Sequence, residues 1–195
     1  MGALATLLQL SAATVPSAYT SIIIQEGNAQ GVDPALIAAV IQVESSFRPD
    51  AVNPEPTGQP SYGLMQLQLA TARDMAGDSS LQSSDLMDPS LNIALGTKYL
   101  RYQLDRYGGN EAMAAAAYNA GSARYRAGSS QFVNQTYVDR VLGAVSEFRQ
   151  AGSSDAVLPS AEVSDTPPID WSFGDWRLWA GILVGLVVLL ALARD

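Results

Sequence analysis

Apolar residues recur at three- and four-residue spacing along residues 19–149, a pattern typical of amphipathic helices. No stretch alternates between apolar and polar positions for long enough to indicate a strand of useful length, and no internal repeat is present. The pattern therefore predicts an all-α domain. Its helices should be separated where Gly, Asp, Asn and Pro interrupt the spacing, at residues 31–34, 53–60, 88–89 and 108–109.

The pattern changes on both sides of this helical region. Residues 1–20 are apolar and small, but they carry no Lys or Arg before the hydrophobic stretch, which argues against a cleaved signal peptide. Residues 151–175 are rich in Ser, Pro and acidic residues and contain no basic residue, a composition typical of a solvated linker. The predicted folded domain therefore occupies residues 21–150.

The last part of the chain is strongly apolar, and we expect residues 176–193 to form one transmembrane helix. Residues 178–193 carry no charge, and a helix of that length spans about 24 Å, somewhat less than a hydrocarbon core of about 30 Å. Flanking Trp and Arg residues would extend the span to the interfaces. A buried core helix is the alternative, but a small domain offers little surface to cover a helix that is apolar on every face.

Within this predicted helix, Gly181 and Gly185 form a GxxxG pair. Such a pair allows two membrane helices to pack closely, so a homo-oligomer is one expectation; assembly into a larger particle is another. More often, such glycines are merely tolerated in a single anchoring helix. One basic residue at each end leaves the membrane topology undecided by charge.

The amino-acid composition excludes several kinds of catalytic and metal-binding site. The 195 residues include no Cys and no His, which excludes disulfides, thiolate metal sites, cysteine nucleophiles and Ser-His-Asp triads. Acid–base chemistry near neutral pH must then use a carboxyl, Lys or Tyr. The formal net charge of -8 argues against nucleic acid as a partner, because phosphate binding requires clustered basic residues.

The carboxyl of Glu44 stands out as a candidate general acid. Asp33 and Pro34 are typical of the cap and first position of a helix. A carboxyl on the apolar face of that helix loses solvation, which raises its pKa and suits it to general acid catalysis. A helix face that turns to solvent, or a pair with Arg48, would explain the same residue without catalysis. The stripe that carries the carboxyl is Ile37, Val40, Ile41 and Glu44.

Three short segments follow in order along the chain: ESSF at residues 44–47, YGLMQ at 62–66 and AYNAG at 117–121. In order and spacing they resemble the signature segments of the soluble lytic transglycosylase family, within the lysozyme-like goose-type clan. The resemblance extends from about residue 31 to residue 148. It includes GVDPALIAAVIQVESSF at its start and YVDRVL near its end. The segment at residues 53–60, between the first two motifs, is somewhat longer than in the family pattern.

The resemblance implies a lysozyme-like helical domain with a cleft for glycan, in which Glu44 is the catalytic acid and base. Such an enzyme cleaves the β-1,4 bond between MurNAc and GlcNAc of peptidoglycan and leaves a 1,6-anhydromuramyl end. It uses no metal or organic cofactor. One carboxylate suffices, because the 6-hydroxyl of MurNAc takes the place of water.

The resemblance also implies a set of substrate-binding residues. Ser45 would help to position the carboxyl, and the methionine and glutamine of YGLMQ would line the sugar subsites. The tyrosine and asparagine of AYNAG would contact the glutamate or the N-acetyl groups. Judged by residue type alone, the methionine of YGLMQ and the tyrosine of AYNAG could instead be packed in the core. The implied set is Ser45, Met65, Gln66, Tyr118, Asn119 and Tyr137.

Two rival functions fit the same residues. A hydrolytic muramidase of this fold would use a second carboxylate, for which Asp50 and Glu55 are the candidates. A structural or glycan-binding virion protein would keep the fold without catalysis. The expected setting is a membrane-anchored enzyme of a phage virion or of the bacterial envelope, opening the wall locally during phage entry or envelope assembly. Its partners would be glycan strands and the lipid bilayer.

Overall fold

The computed structural model describes residues 14–54 and 58–154. Glu55 and the predicted transmembrane helix at residues 176–193, with Gly181 and Gly185, lie outside the described residues, as do most of the predicted linker and of the apolar N-terminal segment. In the part of the chain that is described, no helix combines the length and apolarity that a membrane span requires.

Within the described residues, six α-helices carry the fold, and a short 3-10 helix at Asp85–Met87 precedes the fourth of them. The first helix begins four residues before the predicted domain start at residue 21, and the last continues four residues past its predicted end at residue 150. The helices are α1 (Ser17–Gln30), α2 (Pro34–Ser45), α3 (Leu69–Ala76), α4 (Pro89–Arg106), α5 (Glu111–Ala120) and α6 (Gln135–Ser154).

Side-chain caps begin three of these helices at the predicted breaks. Asp33 accepts a hydrogen bond from the backbone N–H of Ala35 at 2.8 Å, and a proline occupies the first turn of α2. Asp88 caps α4 in the same way, through the N–H of Leu91 at 2.8 Å. Asn110 caps α5 after the glycine pair. The helix boundaries predicted from Asp-Pro and Gly-Gly are therefore confirmed.

Helix α2 lies at the centre of the core. It packs against α1 and α6, while α4 packs against α1 and α5. Every residue from Leu36 to Ile41 is buried, so the apolar stripe predicted on α2 is in the core up to the turn that carries Glu44. This packing holds the last turn of α2 at a fixed place on the domain surface.

A small antiparallel sheet departs from the all-α prediction. Its strands are β1 (Val52–Asn53), β2 (Ser61–Tyr62) and β3 (Leu67–Gln68), in the order β1-β2-β3, with Tyr62 opposite both Val52 and Leu67. Each strand has two residues, too few for an alternating pattern to register in the sequence. The predicted break at residues 53–60 therefore contains the connection between β1 and β2. The YGLMQ segment begins with the last residue of β2, and its remaining residues, 63–66, form the turn between β2 and β3.

Candidate active site

Glu44 lies in the last turn of α2, which ends at Ser45, and its side chain is half-buried. The chain leaves the helix through two non-glycine residues in the left-handed region, Ser46 at φ 53° and Phe47 at φ 60°. Consecutive left-handed residues of this kind are uncommon and carry a cost in backbone energy. The ESSF segment therefore turns the chain away after Ser45, and Glu44 is among the residues that line a cleft.

Tyr137, near the start of α6, holds the carboxylate. Its phenol donates a hydrogen bond to Oε1 of Glu44 at 2.7 Å. Burial, and secondly the nearby charge of Glu44, raise the pKa of the Tyr137 phenol well above its ordinary value. The phenol therefore stays protonated around neutral pH and remains a hydrogen-bond donor to the carboxylate.

Tyr118, on α5, connects the AYNAG and YGLMQ segments. Its buried phenol donates a hydrogen bond to the backbone carbonyl of Met65 at 2.9 Å, and its ring packs on Tyr99 of α4 with centroids 5.1 Å apart. Burial, followed by the charge of Glu44, raises the pKa of this phenol well above its ordinary value. Tyr118 thus fixes the loop after β2 beside the carboxylate.

The side chain of Met65 lies in the core rather than in the cleft. It is fully buried, and it fills the notch that Gly96 leaves on α4, where an added Cβ would lie 2.3 Å from the methionine sulfur. The family resemblance implied that Met65 lines a sugar subsite, and core packing was the alternative; the position of the side chain agrees with the alternative. What Met65 offers near the site is its backbone carbonyl, which accepts the hydrogen bond of Tyr118.

Gln66 lines the cleft, but its amide group is engaged within the loop. Nε2 donates to the carbonyls of Ala51 at 3.1 Å and Gly63 at 2.7 Å, and Oε1 accepts from Asn53 Nδ2 at 2.8 Å. Its backbone is also left-handed, at φ 48°. Gln66 therefore ties the β2–β3 turn to β1 and to the residue that precedes β1.

Asn92 of α4 was not identified from the sequence, yet it organises the same loop. The side chain is fully buried; its Oδ1 accepts from the N–H of Met65 at 2.7 Å, and its Nδ2 donates to the carbonyls of Tyr62 at 3.0 Å and Leu86 at 2.9 Å. Gly63 approaches so closely that an added Cβ would lie 2.4 Å from Nδ2. The only sequence signal was an asparagine within the apolar run LNIAL.

Asn119 is exposed at the end of α5, and a second asparagine orients it. Nδ2 of Asn134 donates to Oδ1 of Asn119 at 2.9 Å and also to the carbonyl of Ala116 at 3.0 Å. With its oxygen held in this way, Asn119 presents its NH2 group as a donor.

Ser45 is buried and its hydroxyl donates to the carbonyl of Ile41 at 3.1 Å, so it secures the last turn of α2.

These residues surround a cleft of about 490 Å³. Among the described residues that line it, Glu44 is the only carboxylate and Arg124 the only cation. Asp50 is exposed and does not line this cleft. A larger cavity of about 710 Å³ lies between α1, α2 and α6 and contains none of the three motifs. The lining residues of the cleft are Glu44, Ser61, Gln66, Leu67, Gln68, Thr71, Tyr99, Tyr118, Asn119, Ala120, Gly121 and Arg124.

Residues 21–137 match the family model of the transglycosylase SLT domain. The chain belongs to the transglycosylase SLT domain family. The matched residues contain all three motifs and end at Tyr137, so the resemblance read from those motifs is confirmed.

Relatives of this SLT domain include the soluble lytic murein transglycosylase of Salmonella typhimurium, 30% identical over 115 residues, which cover 57% of this chain and 17% of the relative. The transglycosylase of Enterobacteria phage PRD1 is 33% identical over 133 residues, covering 68% of this chain and 44% of the relative. The structure of an inactive mutant of the lytic transglycosylase Slt from Pseudomonas aeruginosa aligns with a TM-score of 0.60 and 27% identity, over 71% of this chain and 25% of that one. The chain thus spans less than half the length of each of these proteins.

Proposed function

We propose that this SLT domain cleaves peptidoglycan as a lytic transglycosylase, with Glu44 acting first as acid and then as base. The observation that carries the proposal is the placement of Glu44 as the one carboxylate among the described residues of the cleft, held by Tyr137. Family membership and the activities for which the relatives are named support the same function.

The reaction uses one proton, which Glu44 first donates and then recovers. Glu44 protonates the oxygen of the β-1,4 bond between MurNAc and GlcNAc, and the bond from that oxygen to C1 of MurNAc breaks. The 6-hydroxyl of the same MurNAc then forms a bond to C1 and gives its proton to the Glu44 carboxylate. The products are a 1,6-anhydromuramyl end and a free GlcNAc hydroxyl, and no water is consumed.

The neighbours of Glu44 suit the two halves of this cycle. The Tyr137 hydrogen bond stabilises the ionised carboxylate that remains after the first proton transfer, and it fixes the orientation of the group. The donor NH2 of Asn119 suits an N-acetyl carbonyl of the glycan. Gln66, Tyr118 and Ser45 contribute by holding the walls of the site in place, and Met65 contributes through its backbone.

Product analysis tests this proposal against its rivals. We expect purified peptidoglycan treated with the full chain to release muropeptides that are one water lighter than hydrolysis products and lack a reducing end, because the 6-hydroxyl replaces water. Mass spectrometry with and without prior borohydride reduction measures both properties. Products with reducing ends would instead indicate a hydrolytic muramidase. Absence of any cleavage would favour a structural or glycan-binding protein.

We infer that the domain is tethered to a membrane and opens the wall locally, in a phage particle or in the bacterial envelope. The uncharged residues 178–193 support the tether, Gly181 and Gly185 would let two such helices pair, and the phage PRD1 relative supports the phage setting. The full chain is expected to float with liposomes in a density gradient, whereas a chain that ends at Val157, just past α6, stays at the bottom and still cleaves peptidoglycan. A shortened chain that melts at a much lower temperature or loses cleavage would contradict the tether.

A further inference from the structure

The segment between α5 and α6 forms a short ordered hairpin at the edge of the cleft. The carbonyl of Arg124 accepts the N–H of Val133 at 2.9 Å, and the Tyr125 ring stacks on the buried Phe132 ring with centroids 4.6 Å apart. An isolated β-bridge between Tyr125 and Phe132 continues the pairing. Arg124 therefore sits on the first arm of a braced hairpin.

The end of α4 anchors this arm on the side of the cleft. Nη1 of Arg106 donates to the carbonyl of Gly121 at 3.2 Å, and the phenol oxygen of Tyr107 accepts the N–H of Ala123 at 2.9 Å. The backbone is thus held immediately before Arg124 as well as at Arg124 itself. A side chain on such a backbone loses less conformational freedom when it binds a ligand.

Arg124 is one of the residues that line the cleft, and it is exposed. Within residues 14–54 and 58–154 it forms no side-chain hydrogen bond or ion pair, whereas Arg149 pairs with Asp33 and Glu111, and Arg101 pairs with an aspartate of its own helix. A guanidinium presents a planar fork of N–H donors that matches a carboxylate. In a chain with a formal charge of -8, this cation makes one edge of the cleft attractive to an anion.

We propose that Arg124 binds a carboxylate of the peptide attached to MurNAc, beside the bond that is cleaved. The inference rests on the proposed function, because it names the part of the substrate that this edge of the site recognises. The sugar rings of peptidoglycan are uncharged, and its stem peptides carry free carboxylates. A second source of the same chemistry is the lactyl carboxylate, which becomes free only after the peptide has been removed.

The test compares the full chain with its R124Q and R126Q variants on two soluble, uncross-linked substrates. One substrate keeps its stem peptides; the other has been stripped of them by an amidase and carries free lactyl carboxylates. Arg126 lies on the same hairpin, is exposed and does not line the cleft, so R126Q is the matched control for loss of charge. We expect R124Q to raise KM on the stem-bearing substrate about tenfold or more, the range for hydrogen bonds to charged groups, with little change in kcat. R126Q should leave KM unchanged.

The outcomes separate the two sources and also separate this inference from the proposed function. A KM effect confined to the stripped substrate would assign Arg124 to the lactyl carboxylate and overturn the peptide assignment, as would equal effects on both substrates. No effect on either, or the same effect from R126Q, would also overturn it. Co-sedimentation of E44Q and of E44Q with R124Q on uncleaved sacculi gives a readout without turnover. Weaker binding of the double variant would uphold the inference even if the parent chain proved inactive.

Discussion

Glu44→Gln is expected to abolish cleavage of peptidoglycan while the domain stays folded. The amide keeps the size of the side chain, and its oxygen still accepts the Tyr137 hydrogen bond, but it has no proton to give to the glycosidic oxygen. General acid–base catalysis typically contributes about a hundredfold to ten-thousandfold in rate, so a loss of at least that size should follow. Release of soluble muropeptides from purified sacculi measures it.

A charge-matched control separates catalysis from general electrostatics. Glu147 is exposed on α6 and does not line the cleft, so Glu147→Gln removes the same charge from the same domain and should keep the parent rate. Circular dichroism and melting temperature verify that both variants are folded. Turnover by Glu44→Gln close to the parent rate would overturn the assignment of Glu44, and equal inactivity of Glu147→Gln would show that the loss is not specific to the site.

The helical framework was predictable because its signals are local. Asp33 with Pro34 and Asp88 with Pro89 specify helix starts through groups no more than three residues away, and the structure shows the caps. Gly108 and Gly109 both adopt positive φ between α4 and α5, where the sequence placed a break. The sheet was missed because pairing between two-residue strands depends on contacts that only the folded chain provides.

The site was only partly predictable, for a different reason. The motifs located Glu44 and its surroundings, but a motif does not show whether a given side chain points into the cleft or into the core. Met65 turned inward because Gly96, from a distant helix, leaves space for its side chain. The hydrogen bonds of Asn92 to the loop and of Asn134 to Asn119 join residues far apart in the chain, so the residue types alone do not reveal them.

A consequence is that the cleft depends on α4 for its shape as much as on the motifs. Asn92 fixes the backbone of YGLMQ, and Met65 within that segment accepts the Tyr118 hydrogen bond. Tyr118 lines the cleft together with Glu44. Loss of the Asn92 hydrogen bond to Met65 would therefore disturb the surroundings of Glu44 through Met65 and Tyr118.

Asn92→Ala is accordingly expected to lower the free energy of unfolding by about 3–5 kcal/mol, because two buried backbone groups and one half-buried carbonyl lose their partner at about 1–3 kcal/mol each, with some relaxation. That is a large part of the roughly 5–15 kcal/mol available to a typical domain, so the melting temperature should fall by about 10–20 °C.

Thr97→Val is the control: Thr97 is fully buried on the same helix, and its hydroxyl has no hydrogen-bond partner in the described part of the protein. Because valine has nearly the same shape, this change should leave stability within about 0.5 kcal/mol of the parent or raise it. Urea unfolding of the three proteins measures the difference, and equal losses from both variants would show that burial in α4, rather than the Asn92 hydrogen bonds, sets the stability of the cleft loop.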